Sequence, residues 1–196
     1  MRSRFTGLAA LIAAVLLLAA APALAAKQKE PAAPNIDEKS MAILKKMGDV
    51  LGKAGKFTVT AHSTHDVVQE SGLKIEFGRI IKYTFSRPDR MRVDSRDSDG
   101  MRSTVVFDGK SIAAYGERQN AYATTELTGT VDDAIVYFVR DLKMRLPLAM
   151  LFVTNVNEDL DRRITSLAYV ETDTLFDVPC DHLVGTTDTV DFQVWV

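Results

Sequence analysis

Residues 73–90, LKIEFGRIIKYTFSRPDR, decide the fold because apolar and polar side chains alternate along most of this stretch. One side carries Leu73, Ile75, Phe77, Ile81, Tyr83 and Phe85, and the other carries Lys74, Glu76, Lys82 and Thr84. A period of two is typical of a β-strand with one buried face. Pro88 and Asp89 then predict a turn into the next strand.

Short segments of the same kind flank this stretch. In KFTVTAHSTHDV, residues 56–67, Phe57, Val59 and Ala61 form one face. The segments RMRVDSR, MRSTVVF, SIAAYG and NAYATTE follow, and Asp108-Gly109 is a strong signal for a tight hairpin. Short strands joined by tight turns predict an antiparallel meander.

Helical spacing appears before this group of strands. Asn35 and Glu38 have the spacing of a capping box, which predicts a helix that begins after Asn35. Its apolar stripe comprises Ile36, Ile43, Leu44, Met47, Val50 and Leu51. Gly52 and Gly55 are expected to end it.

A second helical region follows the strands. Thr130 and Asp133 form another capping-box pattern, and Val131, Ile135, Phe138 and Leu142 recur along one side. Pro147 is expected to start a short apolar helix, PLAMLFV, and the polar residues 154–163 then separate it from four more strands. Those strands are ITSLAYVETD, TLFDVP, CDHLVGTT and TVDFQVWV. The order predicts an α+β fold with an antiparallel sheet and helices on one side.

The N-terminus predicts export. Arg2 and Arg4 precede an apolar run, Leu8–Leu18, and Ala23-Leu24-Ala25 offers small residues for cleavage after Ala25. This pattern is typical of a secretory signal peptide, and a retained anchor is the alternative. No cysteine follows the run, so no lipoprotein acylation site is expected. The predicted organisation is a signal peptide (1–25), a linker (26–34) and one domain (35–196), with localisation in the periplasm.

Composition narrows the classes of function. Cleavage leaves 22 basic against 26 acidic residues, a net charge of −4, which does not favour nucleic-acid binding. Cys180 is the only cysteine, so no intrachain disulfide is expected. About 170 residues suffice for a core without disulfides.

Neither the pair His62 and His65 nor the pair Cys180 and His182 predicts a metal site. His62 and His65 differ by an odd number, so they point to opposite faces of a regular strand. Cys180 and His182 share a face, but no third ligand is evident for zinc. A catalytic Cys–His pair is an alternative; a small buried thiol beside a hydrogen-bonded histidine is the favoured interpretation. Phosphate-binding, dinucleotide-binding and hydrolase motifs are absent from the sequence, so no cofactor and no enzymatic activity are predicted.

Arg79 falls on the apolar face of the strand predicted in residues 73–90, between Phe77 and Ile81. A buried cation needs a carboxylate or carbonyl partner, or a wet cavity. Arg79 is therefore expected either to reach water at the rim of the sheet or to contact a ligand. Tyr137 and Phe138 are expected to pack in the core or to line a pocket between helix and sheet.

The motifs RPDRMRV, FDGK, NAYA, PCDHL and VDFQVWV, in this order behind a signal peptide, carry a resemblance. They are similar to a family of bacterial periplasmic proteins of unknown function that is grouped with the outer-membrane lipoprotein carriers. The resemblance covers roughly residues 36–196. It implies an unclosed, strongly curved antiparallel sheet whose concave face is covered by helices, with a hydrophobic cavity between. In the carriers, a cavity arginine controls occupancy, and Arg79 is a candidate for that role.

The chain departs from the resembled family at its C-terminus, where further strands are expected after VDFQVWV. The domain is therefore expected to be truncated there. A terminal strand with Phe192, Val194 and Trp195 is then expected to form an exposed edge.

Three hypotheses follow. The preferred one is a non-enzymatic periplasmic carrier of a lipid or acylated ligand, with transient membrane contact and cavity residues Phe77, Arg79, Ile81, Tyr83, Phe85, Tyr137 and Phe138. The second is an envelope module, for example a stress sensor, that binds a protein partner. The third is an enzyme that depends on Cys180 and His182.

Overall fold

The structure is a computed structural model that describes residues 35–144 and 148–196. The predicted signal peptide and linker, and Pro147 as a helix start, lie outside these residues. No helix in the two described segments has the length and apolarity to cross a membrane.

The helical elements are α1 (Glu38–Lys53), α2 (Val131–Val136), a π-helical turn (Tyr137–Asp141), a 3-10 helix (Ala149–Phe152) and α3 (Val156–Arg163). The strands are β1 (Lys56–Val68), β2 (Lys74–Ser86), β3 (Arg90–Asp97), β4 (Arg102–Phe107), β5 (Ser111–Gly116), β6 (Ala121–Glu126), β7 (Ile164–Leu175), β8 (Val178–Thr187) and β9 (Asp191–Trp195).

Strands β1 to β6 form a curved antiparallel meander in chain order. The two end strands, β1 and β6, do not pair with each other, so the described sheet is unclosed, as expected. Its registers place Phe57 opposite Phe85, and Tyr83 opposite Val93. The predicted hairpin at Asp108-Gly109 is confirmed: Gly109 has φ of +87°, and the Asp108 carboxylate accepts hydrogen bonds from the backbone N–H groups of Lys110 and Ser111.

The two faces of this sheet differ in chemistry. The inner face, which carries Ile81, Tyr83 and Phe85, is covered by helices and contains the larger hydrophobic core. The outer face carries the alternate residues and is exposed to solvent. Its charged residues on β1 to β4 are Lys56, Lys74, Lys82, Arg90, Arg92, Arg96 and Arg102, with Asp66, Glu76 and Asp94.

The helices between the two groups of strands cover the inner face. The predicted capping box of α2 is confirmed, because Thr130 and Asp133 exchange hydrogen bonds with each other's backbone N–H groups. Val131, Ile135 and Phe138 are buried, whereas Leu142 is exposed beyond the π-helical turn. Phe152 from the 3-10 helix packs on Tyr83 and Phe85, with ring centroids 5.3 Å from each.

Strands β7, β8 and β9 form a separate three-stranded sheet. A single sheet was the expectation, and the backbone before α1 explains the difference. Ile36 forms a parallel bridge with Leu167, and hydrogen bonds join Asn35 and Asp37 to the same strand. These residues occupy the edge of β7 at Leu167. The predicted alternation in the last strand is confirmed, with Phe192, Val194 and Val196 packed against the second core.

Helix α1 covers the three-stranded sheet through Leu44, so the two sheets have separate cores. The prediction of Asn35 as N-cap was wrong by two residues: Asp37 caps the helix by accepting a hydrogen bond from the Ser40 N–H at 2.9 Å. Val50 lies on the exposed side of α1. The helix ends at Lys53, between the two glycines expected to end it.

Two further expectations were wrong. The polar stretch 154–163 contains α3, whose Val156 packs in the larger core and whose Leu160 contacts both cores. The segment TLFDVP contains a hairpin turn at Phe176-Asp177 and is not a separate strand.

Candidate functional site

The deep half of the inner face is packed. Phe57 stacks on Phe85 with centroids 4.7 Å apart, and Phe152 closes the same cluster. Ile81, Tyr83 and Phe85, which were predicted to line a cavity, are buried in this core, and Ile81 also lines the cleft and the small cavity described below. Burial raises the pKa of Tyr83 to about 12, so its hydroxyl group stays neutral at physiological pH.

The predicted helix residues also lie at this core. Phe138 is buried in the π-helical turn, and Tyr137 beside it is half-buried against the same cluster. These side chains fix the helical cover over the sheet. Open space begins beyond them.

The other half of the inner face is not covered. β3 ends at Asp97, whereas β1 and β2 continue as a two-stranded hairpin to Val68 and Lys74. Its inner face keeps the apolar pattern, so Val67, Leu73, Ile75 and Phe77 are exposed. The His65 ring stacks on Phe77 across the two strands, with centroids 6.0 Å apart.

A cleft of about 660 Å³ lies against this uncovered surface. Val67, Phe77, Arg79, Asp97 and Met101 are among its lining residues. The volume is within the range of small-molecule sites in proteins. The cleft therefore combines an apolar wall with a charged pair and a further carboxylate, Asp99.

That charged pair is Arg79 with Asp97. The Arg79 Nε and Nη2 atoms donate to the two carboxylate oxygens at 2.5 and 2.9 Å, which is a bidentate pair. The hydrogen bond from Arg79 lowers the pKa of Asp97, and the same bond raises the pKa of the Arg79 guanidinium. Arg79 thus has the carboxylate partner that its place on an apolar face requires, and its side chain is half exposed at the cleft.

A smaller cavity of about 80 Å³ lies between this pair and the packed core. Arg79, Ile81, Phe138 and Met144 line it together with two serines. Ser95 and Ser103 lie opposite each other on β3 and β4, and their hydroxyl oxygens are 2.7 Å apart. The sequence reasoning missed Asp97 and these serines. The alternation in RMRVDSR places Ser95 with Met91 and Val93, which was an available signal.

The histidines of β1 face opposite sides, as the strand register requires. β1 pairs with β2 without a bulge, so His65 lies on the inner face and His62 on the outer face. Among the described residues, no group of three or more histidine, cysteine or acidic side chains is arranged to hold a metal ion.

Cys180 and His182 lie on the three-stranded sheet, away from the cleft residues in the fold. The His182 ring stacks on Trp195 with centroids 4.3 Å apart, and its Nε2 is 2.9 Å from the Gln193 amide oxygen. The Trp195 Nε1 donates to Asp173, and this hydrogen bond lowers the Asp173 pKa. Cys180 is half-buried, and its thiol donates to the Val178 carbonyl at 3.4 Å.

The fold and the cleft define an α+β protein with an unclosed antiparallel sheet and a partly apolar site at its uncovered end. Residues 40–196 match the model of a family described as predicted periplasmic protein (DUF2092), and the chain belongs to this family. The description agrees with the localisation expected from the N-terminal sequence. A search of curated proteins gave no match to the chain.

Proposed function

We propose that this protein is a non-enzymatic periplasmic binder or carrier of a lipid or another acylated ligand, and that the ligand occupies the cleft at the hairpin of β1 and β2. The single observation that carries the proposal is the continuation of the apolar inner face beyond its helical cover. The resemblance to lipoprotein carriers supports the same class of ligand.

The affinity would come from apolar burial along the hairpin. Phe77, Ile75 and Val67 line one surface and are each about 40% exposed. An acyl chain laid against them would lose water contact along its length, at about 0.8 kcal/mol for each buried methylene group. The packed core of Tyr83 and Phe85 would limit how far the chain enters.

Arg79 and Asp97 would supply the polar contacts of this site. Their mutual hydrogen bonds satisfy both charges before a ligand arrives. The half-exposed guanidinium retains a donor group that can reach a ligand's polar head. We assign Arg79 to the role of the cavity arginine in the resembled carriers.

Native mass spectrometry of protein purified from a bacterial periplasm tests the proposal. The expected result is a bound lipid whose occupancy falls strongly in Phe77→Asp. Val106→Asp is the matched control: Val106 is 37% exposed against 39% for Phe77, but it lies on the outer face.

Absence of lipid from the wild-type protein, or equal occupancy in both variants, would refute the proposal. Recovery of a stable protein partner without any lipid would favour the interaction-module hypothesis instead. Chemical extraction of the purified protein gives an independent check on the identity of the adduct.

A further inference from the structure

Positive charge is concentrated on the outer face of the six-stranded sheet, although the whole chain has a net charge of −2. Lysines and arginines outnumber carboxylates on the outer face of β1 to β4. Residues 164–196, which contain the three-stranded sheet, have acidic side chains but no lysine or arginine. The two sheets thus differ in the sign of their charge.

Arg96 and Arg102 are at the centre of this basic face. They lie directly opposite each other on β3 and β4, an arrangement in which like charges destabilise a sheet. Within the described residues, Arg96 has no hydrogen bond or ion pair from its side chain, and the nearest carboxylate to Arg102 is Glu117 at 4.0 Å. Their charge is largely uncompensated.

The acidic residues of this face are engaged or distant. Asp94 accepts two hydrogen bonds from Arg92, both at 2.7 Å, and a third from Thr104. Asp66 and Glu76 lie opposite each other near the tip of the hairpin. The positive charge in the middle of the face therefore remains available to an external anion.

A groove of about 490 Å³ crosses this region, and its lining includes Lys82, Arg96, Arg102 and Tyr115 together with the carboxylates of Asp94 and Glu117. Tyr122 pairs with Tyr115 on the next strand and is exposed. Tyrosine is favoured where an apolar ring meets a wet, polar boundary. The groove thus places cations and an aromatic surface side by side.

We propose that the outer face docks the protein on a bilayer that contains anionic phospholipid, with headgroup phosphates held between Lys82, Arg96 and Arg102. A guanidinium group can donate two parallel hydrogen bonds to two oxygens of one phosphate. A cluster of several basic residues is sufficient to attract a protein to an anionic membrane. This face is opposite the cleft, so the docking proposal does not depend on the proposed ligand.

Co-sedimentation with vesicles tests the docking. Purified protein is mixed with phosphatidylcholine vesicles that either contain or lack phosphatidylglycerol. Binding is expected only with phosphatidylglycerol, and it should weaken at about 1 M salt, where the Debye length is about 3 Å. The double variant R96E/R102E should bind at least about 25-fold more weakly, since each cation near the surface contributes about fivefold.

The double variant K46E/K110E is the matched control, because it makes the same change in net charge at two exposed residues off this face. It should keep most of the binding. Circular dichroism verifies that both variants are folded. Equal binding to both vesicle types, or equal loss in both variants, would overturn the proposal. Vesicle binding and lipid occupancy of the cleft are separate readouts, so either proposal can fail alone.

Discussion

Arg87 is the residue that connects the end of β2 to the helices. The two N–H groups of its Nη1 atom are shared among the carbonyl oxygens of Leu51, Gly52 and Ala54, which lie 2.7 to 3.1 Å from Nη1, and its Nη2 atom donates to the Phe152 carbonyl. The guanidinium also lies over the Phe57 ring. It thereby satisfies carbonyl groups at the C-terminal end of α1, which lack partners within the helix.

Arg87→Ala should lower the free energy of unfolding by about 3 kcal/mol, because several hydrogen bonds to a charged group are lost at once. Urea denaturation measures the change. Arg90→Ala, an exposed arginine on the outer face, is the control and should be nearly neutral. Similar losses in the two variants would show that Arg87 does not make this connection in solution.

The Arg79–Asp97 pair should give stability a specific pH dependence. Because Asp97 has a lowered pKa in the folded protein, its contribution is fully present above about pH 4, the ordinary aspartate pKa. It is lost as the pH falls through the lowered folded pKa. The difference in unfolding free energy between wild type and Asp97→Asn should therefore be constant at neutral pH and shrink in acid.

Denaturation curves at several pH values measure this difference. Glu76→Gln, on the outer face of the same hairpin, removes a carboxylate that has no hydrogen bond or ion pair within the described residues. The unfolding free energy of this variant should change with pH in the same way as that of the wild type. A constant gap between wild type and Asp97→Asn into strong acid would contradict the pairing.

At the scale of elements, the meander of β1 to β6 was predictable, but the separation of β7 to β9 into a second sheet was not. Alternation identified β2 and its buried residues because Ile81, Tyr83 and Phe85 keep one register throughout. Alternation contains no information about which strands share a sheet. The bridge from Ile36 to Leu167 joins residues far apart in sequence, and it occupies the edge of β7 at Leu167.

Helix α3 was missed for a related reason. Its sequence, VNEDLDRR, offers only Val156 and Leu160 as apolar residues, too few for a periodic signal. Tertiary contacts stabilise it: the Asn157 side chain donates to Asp49 of α1 at 2.7 Å, and Lys45 pairs with Asp161 at 2.8 Å. For the candidate site, the sequence placed Arg79 on the correct face but did not identify Asp97 as its partner.

The turn between β7 and β8 is an element whose substitution should increase the stability of the protein. Phe176 and Asp177 have φ values of 51° and 63°, and Phe176 is 90% exposed. This left-handed geometry favours Asn-Gly and disfavours a bulky residue. Phe176→Asn combined with Asp177→Gly should raise the free energy of unfolding by about 1 kcal/mol.

Thermal denaturation measures the effect of the turn variant. Phe176→Ala, which removes the ring but keeps a side chain in the left-handed region, is the control and should change little. If Phe176→Ala alone gave the full gain, exposure of the ring would be the cause and the backbone geometry would not.

At the scale of the whole molecule, two cores should unfold together. Leu160 of α3 contacts both cores, and Arg87 ties α1 to the end of β2. Trp195 is the only tryptophan and lies in the three-stranded sheet. Its fluorescence and the far-ultraviolet circular dichroism should therefore follow one transition in denaturant.

Separate midpoints for the two signals would show that the three-stranded sheet and α1 form an independent unit. Leu160→Ala is the informative variant in that experiment. It should lower both midpoints together, because it removes contacts from both cores.

The hairpin of β1 and β2 also suggests how to make a control protein that lacks the proposed binding surface. Beyond the pair Thr64–Gly78, β2 is bonded to β1 alone, so excision of that tip would leave both cores intact. Joining Thr64 to Gly78 through Asn-Gly would give a shortened protein that lacks one wall of the cleft. Any molecule that co-purifies with the full-length protein and not with this deletion would then be assigned to the hairpin without knowing its identity beforehand.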